Sequence, residues 1–251
     1  AGRTEKDAQL VEQLDRAGAM LDALGLATLT PPGLEADDVS ASAATWARDN
    51  DWDCVIITSD RDAFAHISDH TQVLRLINGG ISGSPMLNPA RLVALYGVAA
   101  DRYLDFAALR GDASDNLPGV DGIGEKTAAT LLTQVGPMST VWADVDHNAG
   151  QAVAATLDSW ASENGSRRMG ATVVRRLTAS GARERYDFNI RVMQGHDDLD
   201  LGITPDVPGT PGLLPLDTHR VSTVVSFLGV EATTALAVRV LSTDPASAAF
   251  R

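Results

Sequence analysis

From Asp7 to Leu24 the apolar residues Leu10, Val11, Leu14, Ala17, Leu21 and Leu24 recur three and four apart, the spacing of one helical face, and Gly25 stops the pattern. A short strand is predicted at Ala27 to Leu29, and Pro31-Pro32-Gly33 breaks the chain before a second helix from about Ala36 to Asn50. Cys54-Val55-Ile56-Ile57-Thr58 is a short continuous run rich in β-branched residues, which predicts a strand buried on both faces. Val73 to Ile77 is another strand candidate. Helices alternating with strands predict an α/β fold with a parallel sheet flanked by helices. After Gly79-Gly80 the pattern changes: Pro89 to Tyr96 and Arg102 to Arg110 are predicted helices, and strand signals nearly vanish. Thr204 to Pro215, rich in Pro and Gly, predicts an exposed loop, and helices at about Thr218 to Leu228 and Glu231 to Leu241 follow.

Composition narrows the class without naming a function. A chain of 251 residues with 44% hydrophobic and 21% charged residues suits one large domain or two small ones, and excludes disordered or collagen-like classes for the whole. The lone cysteine, Cys54, cannot form an internal disulfide, and its place in an apolar run predicts a buried thiol and a reducing compartment. No apolar stretch approaches the ~20 residues of a membrane span, and Ala1 to Asp7 has no signal-peptide core, so a cytoplasmic chain with no membrane partner is expected. The net charge of −13 argues against a protein that coats nucleic acid by charge alone. That charge is unevenly spread. Residues 1–70 carry 14 acidic residues against 5 basic ones, whereas residues 167–191 carry 7 arginines against Glu184 and Asp187. The basic stretch is a footprint for an anionic partner or, as such stretches more often are, a solvated helical face.

Three groups of carboxylates stand out by position: Glu35, Asp37 and Asp38 at a helix start, Asp60 and Asp62 just past a strand, and Asp112 with Asp115 after a helix. Taken singly, each has an ordinary role as a helix cap or turn residue. Together they are less easily dismissed, because open parallel sheets place their sites outside the carboxyl ends of the strands, where Asp60 and Asp62 fall. Such a cluster repels itself without a counterion. Hard divalent cations, Mg²⁺ or Mn²⁺, are the natural solution, and two of them ~4 Å apart suit phosphoryl chemistry. The five histidines, His66, His70, His147, His196 and His219, form no zinc pattern with Cys54.

From Asn116 to Ala129 a glycine-rich turn, with Gly119, Gly122 and Gly124, leads directly into a helix predicted to run to about Val135. Glycines allow close approach, the helix N-terminus adds partial positive charge, and Lys126 supplies a full one, so the segment suits phosphate. A dinucleotide fingerprint is the competing motif, yet no buried strand leads into these glycines. A tight interhelical turn without a ligand is the plainer alternative.

Taken in order, Gly33-Leu34-Glu35-Ala36-Asp37-Asp38, Thr58-Ser59-Asp60-Arg61-Asp62 and the run from Leu109 to Ala128 closely resemble the 5′-3′ exonuclease, or flap endonuclease, family, which includes the N-terminal domain of bacterial DNA polymerase I. The likeness runs from Ala1 to about Val145 and is weak beyond. It implies a PIN-like α/β core over residues 1–105, a helix-three-turn-helix DNA-binding region over 106–165 and a mostly helical region over 166–251. By position it assigns Glu35, Asp37, Asp38, Asp60, Asp62, Asp112 and Asp115 to the catalytic site holding two Mg²⁺ or Mn²⁺ ions. It assigns Arg3, Gly119, Gly122, Gly124, Lys126 and Thr127 to DNA. It further suggests a potassium ion on backbone carbonyls near Ser114 to Ile123.

Family members begin with a strand carrying an essential aspartate and have a basic helical arch, both of which would precede Ala1. The resemblance therefore leads us to expect an N-terminally truncated, stand-alone member, impaired as it stands. The implied activity is two-metal hydrolysis of DNA at 5′ flaps, nicked or gapped duplex and 5′ ends, by a monomer acting in replication and repair at a bacterial nucleoid. A non-catalytic duplex-binding module is the alternative, and a small-molecule phosphohydrolase would have no use for the hairpin.

Overall fold

The computed structural model describes residues 8–203, 214–227 and 231–242. Arg3, most of the predicted loop (204–213) and the polar end (243–251) lie outside them. The chain divides into two compact units, Leu34–Asp200 and a second formed by Ala1–Gly33 with Leu201–Arg251.

In the second unit, α1 (Ala8–Leu24) packs against Thr218–Phe227, which packs in turn against Glu231–Leu241, around the buried Leu24, Val221 and Val225. Gly25 ends α1 in the left-handed region at φ +83°, which glycine adopts without steric cost. The Arg220 guanidinium then caps the helix, its Nε donating to Ala23 O at 2.5 Å. The strand predicted at Ala27 to Leu29 is absent. No neighbouring strand pairs with these residues, Leu29 is half exposed, and Thr28 Oγ1 donates to Asp22 Oδ1 at 2.8 Å instead.

The larger unit opens with α2 (Ala36–Asp49), which leads into β1 (Cys54–Thr58). β1 runs parallel to β2 (Thr71–Arg75), with Ile56 opposite Val73. A two-residue strand that periodicity does not reveal, β3 (Met86–Leu87), then adds antiparallel to β2, so the sheet is mixed. β1 is not buried on both faces as its run of apolar residues predicts. Ile56 faces the core, while Val55 and Ile57 are 50% and 58% exposed, because among the described residues β1 pairs only with β2 and no element covers its outer face. Cys54 is correspondingly only half-buried, and that burial pushes its thiol up.

Helices make up the rest: α3 (Pro89–Tyr96), α4 (Tyr103–Arg110), α5 (Glu125–Gln134), α6 (Met138–Asn148), α7 (Gln151–Glu163), α8 (Gly170–Leu177) and α9 (Ala182–Met193). Between α4 and α5 a tiny hairpin pairs β4 (Gly111–Asp112) with β5 (Leu117–Pro118). α4 is the hub: Tyr103, Phe106, Ala108 and Leu109 are fully buried, and α4 packs on both α5 and α9. Residues 106–165 and 166–200 thus share one core with the sheet. Among the described residues no helix is long and apolar enough to cross a membrane.

Candidate metal centre and nucleic-acid interface

The chain leaves β1 at Thr58 and turns sharply. Thr58 Oγ1 accepts from Asp60 N, and Asp60 Oδ1 accepts from Asp62 N, both at 3.0 Å, an Asx-type turn that fixes both aspartates at the carboxyl end of the strand. One turn of 3₁₀ helix (Asp62–His66) follows and drives Phe64 into the core, fully buried against Tyr103 and Tyr96 with ring centroids 5.5 and 5.8 Å away. The acidic turn is therefore held by a hydrophobic anchor two residues on.

Asp60, Asp112 and Asp115 line one open cleft of about 1280 Å³, together with Arg61, Arg75 and Arg110 and the segment from Gly111 to Gly119. Burial pushes the Asp62 carboxyl up to about 7, with repulsion from Asp60, Asp112, Asp115 and Asp37 adding to it, and Asp62 Oδ1 is buried with no partner. Asp37 is raised by burial and by Asp60, Glu35, Asp38 and Asp115; Asp115 is raised by burial and by Asp112, Asp60 and Glu35. All seven acids singled out in the sequence thus enter this mutual repulsion, Asp38 only through its neighbour Asp37.

Asp112 behaves differently. Burial pushes it up, but hydrogen bonds from the side chain and backbone of Ser114, with Arg110 and Arg61 nearby, outweigh burial and hold the carboxyl below its ordinary value. Arg110 lies across the Phe106 ring, with its Nη2 3.7 Å from Asp112 Oδ2. Asp38 is buried and fully engaged as a cap: Oδ2 accepts from Glu35 N at 2.8 Å and Oδ1 from His196 N at 2.7 Å, bonds that lower its carboxyl.

A ligand set for hard cations is present in kind: oxygen donors, mutual repulsion and an orphaned buried carboxylate oxygen fit Mg²⁺ or Mn²⁺ with retained waters. Among the described residues, however, no three His, Cys, Asp or Glu side chains converge closely enough to chelate one ion. The spacing suits carboxylates that act partly through water.

The glycine hairpin is built for close approach. Gly119 lies so close to the end of α4 that a Cβ would strike Arg110 O, and Val120 N donates to Leu109 O at 2.8 Å. Gly122 holds φ +75°. Gly124, the N-cap of α5, has ordinary dihedrals and open space where a Cβ would point, so the fold itself does not require a glycine there. Open space before the N-terminus of α5, beside exposed Lys126, leaves the backbone accessible to an anion.

Sequence reasoning missed the residues that hold this hairpin. Asn189 of α9, fully buried, donates through Nδ2 to Ala108 O and Pro118 O at 2.9 and 3.0 Å. Arg185 donates through Nη1 to Gly119 O at 3.3 Å and to Asp121 Oδ1 at 2.7 Å, and Arg176 Nη1 donates to Gly122 O. Arg183 pairs bidentately with Asp146 over the Trp142 ring. Arginine density was the only signal; which of these arginines would turn inward was not visible in the sequence. With these donors, and with Val120 O accepting from Ile123 N, the carbonyls of Pro118, Gly119, Val120 and Gly122 are all engaged.

Two family models match end to end. Residues 1–97 match the 5′-3′ exonuclease N-terminal resolvase-like domain, and residues 98–185 match the 5′-3′ exonuclease C-terminal SAM fold. DNA polymerase I of Mycobacterium tuberculosis is 40% identical over 146 residues, covering 58% of this chain and 16% of that protein. A 5′-3′ exonuclease of the same organism is 38% identical over 144 residues, covering 55% of this chain and 45% of that one. The chain thus spans less than half the length of these relatives. In fold it is similar to T5 5′-exonuclease with divalent metal ions (zinc) bound, at TM-score 0.55, 17% identity and coverage of 96% and 73% of the two chains. It is also similar to the catalytic core of Rad2 in complex with DNA substrate, at TM-score 0.51, 18% identity and coverage of 94% and 71%.

Proposed function

Since the chain belongs to the 5′-3′ exonuclease family, we propose that it hydrolyses DNA phosphodiesters near 5′ ends and 5′-flap junctions with two divalent cations. The observation that carries this reading is the cleft itself. Several mutually repelling carboxylates and the orphaned Asp62 Oδ1 sit beside a glycine hairpin with an accessible backbone. Asp60, Asp62, Asp112 and Asp115 would hold the cations, with Glu35 and Asp37 acting through water, while Asp38 is committed to capping α2. When bound, such ions supply a hydroxide nucleophile at neutral pH and stabilise the leaving oxygen.

The chain's own residues do the rest. Hydrogen bonds from Ser114, with Arg110 and Arg61 adding to them, keep Asp112 ionised as a donor. Asp62, whose carboxyl burial raises to about 7, would hold a cation in its ionised form. The backbone around Gly122 and Gly124, with Lys126 and Thr127, grips the duplex through phosphate and reads no base.

A second reading has one observation in its favour. No three acidic side chains converge among the described residues, and on that reading the acids are inert and the chain is a duplex-binding module. Cleavage of a labelled 5′-flap DNA with and without Mg²⁺ separates the two: metal-dependent cleavage abolished by Asp60→Ala supports the nuclease. Tight duplex binding with neither cleavage nor Mn²⁺ binding by calorimetry supports the module.

A further inference from the structure

Arg61, Arg75 and Arg110 line the same cleft as the acids, but they are not used alike. Arg110 is spent on the protein: its Nε donates to Gly111 O at 3.0 Å, its Nη2 lies 3.7 Å from Asp112 Oδ2, and its side chain is only 12% exposed. Among the described residues, neither Arg61 nor Arg75 forms an ion pair, and neither guanidinium donates a hydrogen bond to the protein. Arg61 stands between Asp60 and Asp62 in the chain and pairs with neither, while Asp62 Oδ1 stays an orphan.

The fold brings these two free guanidiniums to one place. Arg75 closes β2 opposite Thr58 of β1, and its Cζ lies over the Phe64 ring, 5.9 Å from the centroid. Phe64 N donates to Arg61 O at 3.0 Å, one 3₁₀ turn away. The Tyr103 hydroxyl and the Asp112 carboxylate both lie within reach of the Arg61 charge, and the Tyr103 ring packs 5.5 Å from Phe64. Both cations thus meet the cleft over one fully buried aromatic floor, which holds Arg75 in place through the ring face. Once divalent ions hold the carboxylates, the ions and the two guanidiniums are charges of one sign in one cleft, and an anion relieves them. The planar fork of a guanidinium matches the oxygens of a phosphate.

We propose that Arg61 and Arg75 form a phosphate seat, which holds one phosphate group of the DNA strand entering the cleft, beside the acids and apart from the glycine hairpin. The proposal rests on the reading that the cleft receives DNA, and it names the contact that orients the strand there. Arg110, already bonded to Gly111 O, is not part of the seat. An internal phosphodiester and a terminal 5′-phosphate offer the same oxygens, so the test tells the two apart.

Affinity of the whole chain for 5′-flap DNA is measured by fluorescence anisotropy with Ca²⁺, another hard cation taking oxygen ligands, in place of Mg²⁺, and a gel verifies that the DNA stays intact. In one series of substrates a neutral methylphosphonate replaces, in turn, each linkage of the flap strand next to the junction; in another a 5′-hydroxyl replaces the 5′-phosphate. The parent and Arg61→Met/Arg75→Met are compared on all of them, methionine keeping an unbranched side chain over Phe64. In the parent, neutralising the seated group should weaken binding ~10-fold, the scale of charge-assisted contacts to one phosphate; in the double variant the same change should have no effect.

Coupling at one internal linkage puts a phosphodiester in the seat, and coupling at the 5′ terminus puts a phosphomonoester there; either supports the proposal. Coupling at no position, or equal coupling at all, overturns it, since the arginines would then supply only diffuse charge. If the double variant does not fold, Arg61→Met alone, at an exposed position, decides the cycle. Coupling without metal-dependent cleavage keeps the seat and sinks the nuclease reading, whereas cleavage without coupling does the reverse.

Discussion

In the cleft, Asp37, Asp62 and Asp115 are all held above the ordinary carboxylate range by burial and by neighbouring acids, and Asp62 Oδ1 has no partner. In the adjoining hairpin, the carbonyls of Pro118, Gly119, Val120 and Gly122 each accept from a protein donor, and Arg185 neutralises the one carboxylate in the turn. One region is left short of positive charge, and the other is supplied with it. Under the proposed function the contrast follows from two different tasks. A catalytic cation has to be held by charge that the protein leaves uncompensated, whereas a backbone clamp works best when it is already rigid and its charges are already balanced.

The sharpest way to break this division is to damage each region and read both. Asp60→Ala should lower Mg²⁺-dependent 5′-flap cleavage by ~100-fold or more, the scale expected for a misplaced reacting group, and leave duplex affinity unchanged. Kinetics and anisotropy on the same preparation check this; equal loss in both assays would mean that the two regions are one site.

Gly122→Ala should do the reverse. Its φ of +75° strains any other residue by roughly 1–2 kcal/mol, and the new Cβ meets the Arg176 guanidinium, so duplex binding should fall by ~10-fold or more. Mn²⁺ binding by calorimetry should not change. A variant that binds duplex like the parent would show the turn to be more tolerant than its dihedrals imply.

Charge shortage in the cleft has a pH signature. Asp62 is raised from 3.8 to about 7 in the folded protein, so the stability it contributes is full below 3.8 and is lost as pH climbs through about 7. Asp37 and Asp115 push in the same direction. The melting temperature of EDTA-treated protein should therefore fall across that window, and Asp62→Asn or saturating Mg²⁺ should flatten the fall. A metal-free melting curve insensitive to pH there would remove the evidence for crowded charge.

The smallest effect belongs to the exposed Lys126. Lys126→Ala should weaken duplex binding evenly across sequences and lower the salt slope by roughly one unit, the value for one phosphate contact. An unchanged slope would place Lys126 outside the interface.

Much of this was legible along the chain. Helical spacing located α1, α2, α3 and α5 within a residue or two, because a helix satisfies its backbone locally and shows its buried face in its periodicity. The acids and glycines were legible for a similar reason: carboxylates at a strand end and glycines before a helix have chemistry that does not wait on packing. Long-range pairing was not legible. The run from Val55 to Ile57 has the composition of a fully buried strand, but only the tertiary structure decides that one face is covered and that β3 adds antiparallel.

Partnership was hidden in the same way. Nothing local says that Asp38 spends both oxygens on the backbone of Glu35 and His196, 158 residues away in the second case. Nor does it say that Arg176 and Arg185, among 7 arginines in 25 residues, are the ones that reach the hairpin. By itself the sequence determined which chemistry is available. Which groups remain free to use it was decided by folding, because burial and hydrogen bonding between distant segments choose which charges are satisfied and which are left to seek a ligand.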